Sequence, residues 1–91
     1  MHENLKLLPV ITGELTDSTP VPITLGDPRY IRVQVATGGE GVLVRPPGDS
    51  TGYAVASGGD TNIFPYTGQT VTLVRNAGSG TATYTIWRWV P

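Results

Sequence analysis

Apolar and polar side chains alternate along most of this chain, and glycine or proline interrupts the alternation about every 8–12 residues. In residues 30–36, for example, Ile31, Val33 and Val35 occupy every second position. A period of two places successive side chains on opposite faces of a β-strand. No segment has the three- and four-residue apolar spacing that an amphipathic helix needs. The pattern therefore predicts an all-β fold.

The breaks in the alternation predict about seven or eight mostly antiparallel strands in a single domain that spans residues 1–91. The clearest strands are predicted at residues 30–36, 42–45, 53–57, 61–64, 70–76 and 81–90. Glycine-rich segments at 38–41, 58–60 and 77–80 are predicted to be hairpin turns, and Pro65 is predicted to end the strand before it. Short strands with such turns are typical of a β-sandwich or barrel-like domain, either jelly-roll or Ig-like.

The N-terminal part, residues 1–28, is less regular than residues 29–91. Its segments 5–11 and 21–25 are apolar enough for strands, but prolines lie within or beside both. Because proline cannot donate to a ladder, this part is predicted to form either edge strands of the domain's own sheet or an extended arm. An arm would add to the exposed edge of a neighbouring copy. This segment therefore supplies three candidate interface residues, Leu5, Leu7 and Leu8.

The C-terminal strand carries both tryptophans of the chain. Strict alternation places Trp87 and Trp89 on one face and Tyr84, Ile86 and Arg88 on the other. The two tryptophans therefore cannot be buried in the same core as Tyr84 and Ile86. Either the tryptophans point outwards, or a bulge after Ile86 switches the faces and buries at least one of them. Trp and Arg are enriched at the anchor points of interfaces. Trp87, Arg88 and Trp89 are therefore the second group of candidate contact residues.

Candidate catalytic and metal-binding groups are scarce. The chain has no cysteine, and its one histidine, His2, is predicted to be a solvated residue of the terminus. A serine nucleophile needs a positioned base beside it. No spacing of acidic residues supplies the about six to eight oxygens that calcium prefers. The glycine-rich segments are not followed by the Lys-Ser or Lys-Thr of a phosphate-binding loop. The sequence predicts no enzyme, no metal and no cofactor.

Charge is low and nearly balanced, with 14% charged residues and a formal net charge of −1. The arginines are spread along the chain without a lysine cluster, so the basic surface of a nucleic-acid-binding protein is not expected. The longest apolar stretch, residues 5–11, is far shorter than the ~20 residues of a membrane-spanning helix. A surface rich in Thr, Ser and Gly with little charge favours association. Composition and charge therefore predict that the protein has a partner.

The whole chain resembles the small all-β virion proteins of tailed bacteriophages, and capsid decoration (cement) proteins most of all. The shared features are a short cysteine-free β-sandwich, turns rich in Gly, Pro and Thr, few charges and an extended N-terminus with proline, seen for instance in residues 30–45 and 70–90. The resemblance implies a homotrimer or similar ring on the capsid exterior. Such a protein docks on the major capsid protein lattice and stabilises the shell without any reaction.

Two other functions fit the same sequence. A carbohydrate-binding or adhesin module would use flat aromatic side chains as stacking platforms, with Trp87, Trp89, Tyr53 and Tyr66 as the candidates. A tail or neck subunit of a phage differs from a decoration protein mainly in its partner. Small β-sandwiches support all of these functions, so the fold class does not decide between them.

Overall fold

Two antiparallel sheets pack face to face in the computed structural model, which describes residues 4–91. The prediction for His2 lies outside the described residues. No helix occurs between residues 4 and 91, so the all-β sandwich prediction is confirmed. The strands are β1 (Lys6–Leu7), β2 (Ile11–Leu15), β3 (Val21–Thr24), β4 (Tyr30–Val35), β5 (Gly41–Arg45), β6 (Tyr53–Val55), β7 (Phe64–Pro65), β8 (Thr70–Asn76) and β9 (Ala82–Val90).

The strand order is that of a jelly roll. The front sheet has β9 and β4 at its centre and β7 at one edge. At the other edge β1 and β2 lie end to end along β9. The back sheet has the order β3-β8-β5-β6. The antiparallel pairs β2·β9, β3·β8, β4·β7 and β5·β6 thus form one folded ribbon of strand pairs. The Ig-like alternative is not found, because β1 and β2 both pair with the last strand, β9, whereas the first and last strands of an Ig domain lie in opposite sheets.

The predicted hairpins at residues 38–41, 58–60 and 77–80 are wrong. Each of these glycine-rich segments carries the chain from one sheet to the other, between β4 and β5, between β6 and β7, and between β8 and β9. Among the described strands, β5 and β6 are the consecutive pair that forms a hairpin, through the loop at 46–52. Alternation in a strand reports which face is buried, but both sheets bury one face, so the pattern does not distinguish a hairpin from a crossover.

The predicted strand at residues 61–64 is also wrong. The chain there makes an isolated bridge between Asp60 and Gln34, and the two-residue strand β7 follows and contains Pro65. Tyr66 N–H donates to Arg29 O at 3.0 Å, so the preceding Pro65 directs its nitrogen away from β4. Because β7 is an edge strand, the missing N–H of proline leaves no ladder bond unmade.

Residues 6–15 form edge strands of the domain's own front sheet. Strands β1 and β2 both pair with β9, and their registers differ by one residue across Leu8–Val10. Leu8 N–H donates to Arg88 O at 2.9 Å within this irregular stretch. The sequence pattern placed a strand at 5–11, whereas the longer strand runs from Ile11 to Leu15.

The core lies between β4 and β9 of the front sheet and β8 and β5 of the back sheet. Its largest fully buried side chains are Leu25, Ile31, Val33, Val35, Val42, Val44, Val71, Leu73 and Ile86. Tyr84 fills the core beside β2, where its ring lies over Gly13. At the opposite edge Phe64 makes edge-to-face contacts with Tyr53 and Tyr66, with centroid distances of 6.2 and 6.1 Å. This aromatic cluster closes the sandwich between β6 and β7.

Candidate binding face

The alternation of β9 continues without a bulge through Trp89. Its register with β4 is unbroken from Tyr84, which pairs with Val35, to Trp89, which pairs with Tyr30. Tyr84 and Ile86 are buried between the sheets, so Trp87 and Trp89 lie on the outer face of the front sheet. Of the two alternatives that the sequence left open, the outward orientation is the one found. Both tryptophans are half-buried by their neighbours on that face.

A row of apolar and aromatic side chains crosses the front sheet at the level of Trp89. Trp89 pairs with Leu7 of β1 on one side and with Tyr30 of β4 on the other, and Tyr30 pairs in turn with Pro65 of β7. Residues in register on antiparallel strands direct their side chains to the same face. Leu7 is 54% exposed. We call the set Leu7, Tyr30, Arg32, Trp87 and Trp89 the tryptophan face.

Trp87 is held by Arg32 of the neighbouring strand, which forms an ion pair with Asp60. Arg32 pairs with Trp87 in the ladder, and its guanidinium carbon lies 4.8 Å from the centre of the indole ring. Arg32 Nη2 also donates to Asp60 Oδ2 at 2.7 Å. Asp60 is fixed in turn because Asn62 N–H donates to its Oδ1 at 2.6 Å. A cation over an aromatic ring is attractive, so this chain of contacts restricts the indole before any partner arrives.

The carboxylate of Asp60 has a pKa below its ordinary value of 3.8, first because of the Arg32 hydrogen bond and second because of the Asn62 N–H. The folded pKa is therefore lower than the unfolded one. The stability that the Asp60 carboxylate contributes to the fold is fully present above the unfolded pKa and is lost as the pH falls through the folded pKa.

We therefore expect Asp60→Asn to reduce the free energy of unfolding at neutral pH, and this deficit to disappear as the pH falls below 3.8. Urea unfolding of both proteins across this pH range measures the difference. Tryptophan fluorescence reports the loss of the Arg32 contact on Trp87. Asp49→Asn is the control for the fluorescence readout. The lowered pKa of Asp49 comes from the N–H groups of Gly52 and Thr51, which are remote from the indole, so this variant should leave the tryptophan fluorescence unchanged. A deficit in Asp60→Asn that stays constant with pH would contradict the assignment.

The predicted contact residues are separated by the structure. Trp87, Trp89 and Leu7 come together on the tryptophan face. Arg88 lies on the opposite face of β9, where Nη1 donates to Leu25 O at 3.1 Å and Nη2 donates to Pro9 O at 2.8 Å. Its guanidinium joins two connections of the fold and does not extend the surface of the tryptophans. The other two candidates, Leu5 and Leu8, are half-buried beside β1.

Three residues in or beside the tryptophan face, Tyr30, Arg32 and Asp60, were not predicted as site residues. Tyr30 and Arg32 belong to the outward phase of the strand at 30–36, so the alternation did contain a signal for them. Their position beside the tryptophans depends on the pairing of β4 with β9, which the sequence does not specify. The sequence contains no indication that Asp60 contacts Arg32, because this contact requires the chain to cross from the back sheet to the front sheet.

The two tyrosines named for sugar stacking lie elsewhere. Tyr66 is buried and its hydroxyl donates to Thr70 O at 2.6 Å, so its ring cannot serve as a platform. Burial also raises the pKa of Tyr66 above 10.0. Tyr53 is 39% exposed, but it lies at the β6 edge of the back sheet against Phe64. Neither belongs to the tryptophan face.

The rest of the described surface offers little other chemistry. Within residues 4–91 no group of three or more His, Cys, Asp or Glu side chains comes together as a metal site would require. A shallow depression of about 300 Å³ lies between the β4–β5 and β8–β9 connections. It is lined by Glu40, whose Oε2 accepts the Gly80 N–H at 3.0 Å, and by glycine backbone. No helix in this part of the chain could cross a membrane.

No protein-family model matches the chain, and the search of curated proteins finds no match.

Proposed function

We propose that this protein is a non-enzymatic structural component of a virion, a capsid decoration protein that docks on the major capsid protein through its tryptophan face. Its site of action is the capsid exterior. The single observation that supports this proposal is the register-aligned row of Leu7, Trp89 and Tyr30, with Trp87 beside it, on an outer sheet face. Docking would stabilise the shell by burying surface across the junctions between capsid subunits.

The row has the properties of an interface anchor. Trp, Tyr and Arg dominate the binding energy of protein interfaces. Arg32 and Asp60 fix Trp87 in the free protein, so less side-chain freedom is lost when a partner binds. The row is built on the central strands β4 and β9, which hold its members in place more firmly than loops would. A rigid, weakly charged aromatic face supports a permanent contact with a protein lattice.

A carbohydrate-binding or adhesin module is the second candidate, and one observation favours it. The next row of the same face carries Thr12, Thr85 and Gln34 in register beside Trp87. Aromatic rings next to hydroxyl and amide groups also suit a sugar, which presents apolar ring faces and hydroxyl edges. A phage tail or neck subunit would use the same aromatic contacts on a different protein.

The test is re-binding to native particles. Particles from the native source are stripped of this chain, and purified wild-type or variant protein is added back. We expect the wild type to co-sediment with the shell and to raise the temperature at which the particle releases its contents. Trp87→Ala and Trp89→Ala should each weaken re-binding by about tenfold or more.

Thr83→Ala is the matched control, since Thr83 is exposed on the same face of β9, at the polar end where it pairs with Glu14. It should bind as the wild type does. A glycan array supplies the competing outcome: sugar binding that is lost in Trp89→Ala, together with no affinity for the shell, would replace the decoration proposal with the carbohydrate one. Binding to isolated tails but not to shells would assign the protein to the tail.

A further inference from the structure

The β2 edge of the front sheet differs from the other three edges of the sandwich. Strand β3 has Pro22 in its middle, β6 is three residues long, and β7 is two residues long with a proline. Proline and shortness are the usual means by which edge strands avoid pairing with another chain. Strand β2 has five residues and no proline. Of the edges within residues 4–91, it is the one suited to accept a further strand.

The register defines which backbone groups of β2 are free. Ala36 N–H donates to Thr83 O at 2.9 Å, so Thr83 directs its backbone groups towards β4, and the next residue, Tyr84, directs its groups towards β2. Gly13 pairs with Tyr84 and therefore faces β9. By the same alternation Thr12 and Glu14 direct their N–H and C=O groups away from the sheet. Both residues are exposed.

We propose that two copies of this chain pair antiparallel through their β2 strands about a two-fold axis at Gly13. This register sets Thr12 of one copy opposite Glu14 of the other, twice, and satisfies the four outward backbone groups of each strand. It also sets Ile11 opposite Leu15 of the second copy on the inner face. Gly13 meets Gly13 at the axis, where neither presents a side chain and Tyr84 covers the inner side.

A two-fold axis in an antiparallel ladder is perpendicular to the sheet, so the two front sheets become one continuous sheet. Their tryptophan faces then point in the same direction. A dimer that docks through both faces gains avidity over a single copy. The pairing itself does not depend on the decoration function. A five-residue edge is small beside a standard interface of about 1,200–2,000 Å², so we expect a dissociation constant of roughly 10 μM to 1 mM.

Sedimentation equilibrium on the wild type should give a monomer–dimer equilibrium in this range. Thr12→Pro removes an outward N–H without touching the ladder to β9, and should leave a folded monomer up to about 1 mM. Thr24→Pro is the matched control. Leu25 N–H donates to Gln69 O, so Thr24 of β3 also directs its N–H outwards, on an edge that Pro22 already blocks. This control should dimerise as the wild type does.

Two charge variants keep the test valid if a proline disturbs folding. Thr12→Glu sets like charges opposite Glu14 of the second copy and should weaken the dimer by about 3–10-fold. Thr12→Lys should strengthen it by a similar factor. Amide exchange gives a residue-level readout, because the N–H groups of Thr12 and Glu14 should become protected as the concentration rises. A wild type that stays monomeric, forms a trimer, or forms a dimer indifferent to these variants overturns the proposal.

Discussion

Replacing Gly13 by valine should destabilise the fold by about 2–4 kcal/mol, because the space that a side chain needs at this position is already taken. A Cβ atom at Gly13 would fall on the hydroxyl and ring of Tyr84, 2.7 Å from Cζ. Tyr84 is 6% exposed and belongs to the core, so the ring cannot move aside without leaving a void. For a domain of this length the loss corresponds to a fall in melting temperature of roughly 10–25 °C.

A double-mutant cycle with Tyr84→Leu tests this cause. Leucine lacks the ring atoms and hydroxyl that occupy the space over Gly13, so Gly13→Val should cost less than about 1 kcal/mol in that background. Thr12→Ala, one position along the same strand on the exposed face, should change the free energy of unfolding by no more than about 0.5 kcal/mol. Equal costs of Gly13→Val in both backgrounds would show that strand propensity, and not the contact with Tyr84, determines the effect.

Gly13 and Tyr84 also explain why β2 could not be found from the sequence. The alternation of a strand is visible when its own residues fill the core, as in β4, which was predicted within one residue of its observed bounds. In β2 the inward position between Ile11 and Leu15 is a glycine, and the apolar group over it comes from β9. The local pattern therefore lacks the side chain that completes it.

The tryptophan face, like the strands, was only partly predictable from the sequence. The outward phase of Trp87 and Trp89 follows from local alternation and could be stated as one of two alternatives before the structure was known. The contacts of Trp87 with Arg32, and of Arg32 with Asp60, depend on which strands become neighbours. That choice is made by the packing of two sheets over long sequence separations, and glycine-rich segments look alike whether they turn back or cross over. Local alternation therefore predicts the face to which each side chain points, but not which strands pair with each other.

Arg88→Met should cost about 2–3 kcal/mol of stability, although the sequence suggested that Arg88 is a contact residue. The guanidinium donates to the carbonyl of Leu25, in the connection after β3, and to that of Pro9 between β1 and β2. Methionine keeps an aliphatic stem of similar length but cannot donate, so both carbonyls lose a charged donor. Urea denaturation of the two proteins measures the difference.

Arg45→Met is the matched control. Arg45 lies on the back sheet, and within residues 4–91 its guanidinium donates to no backbone carbonyl, so the substitution should cost less than about 1 kcal/mol. A second readout separates stability from docking. Leu8 N–H donates to Arg88 O, and the Pro9 carbonyl is held by the Arg88 guanidinium, so the variant should speed amide exchange at Leu8 and release β1 from β9. Leu7 would then leave the tryptophan face. If Arg88 is instead a direct contact residue, Arg88→Met would weaken re-binding to the shell while stability and Leu8 exchange stay as in the wild type. If it holds the N-terminal edge strand in place, all three should change together.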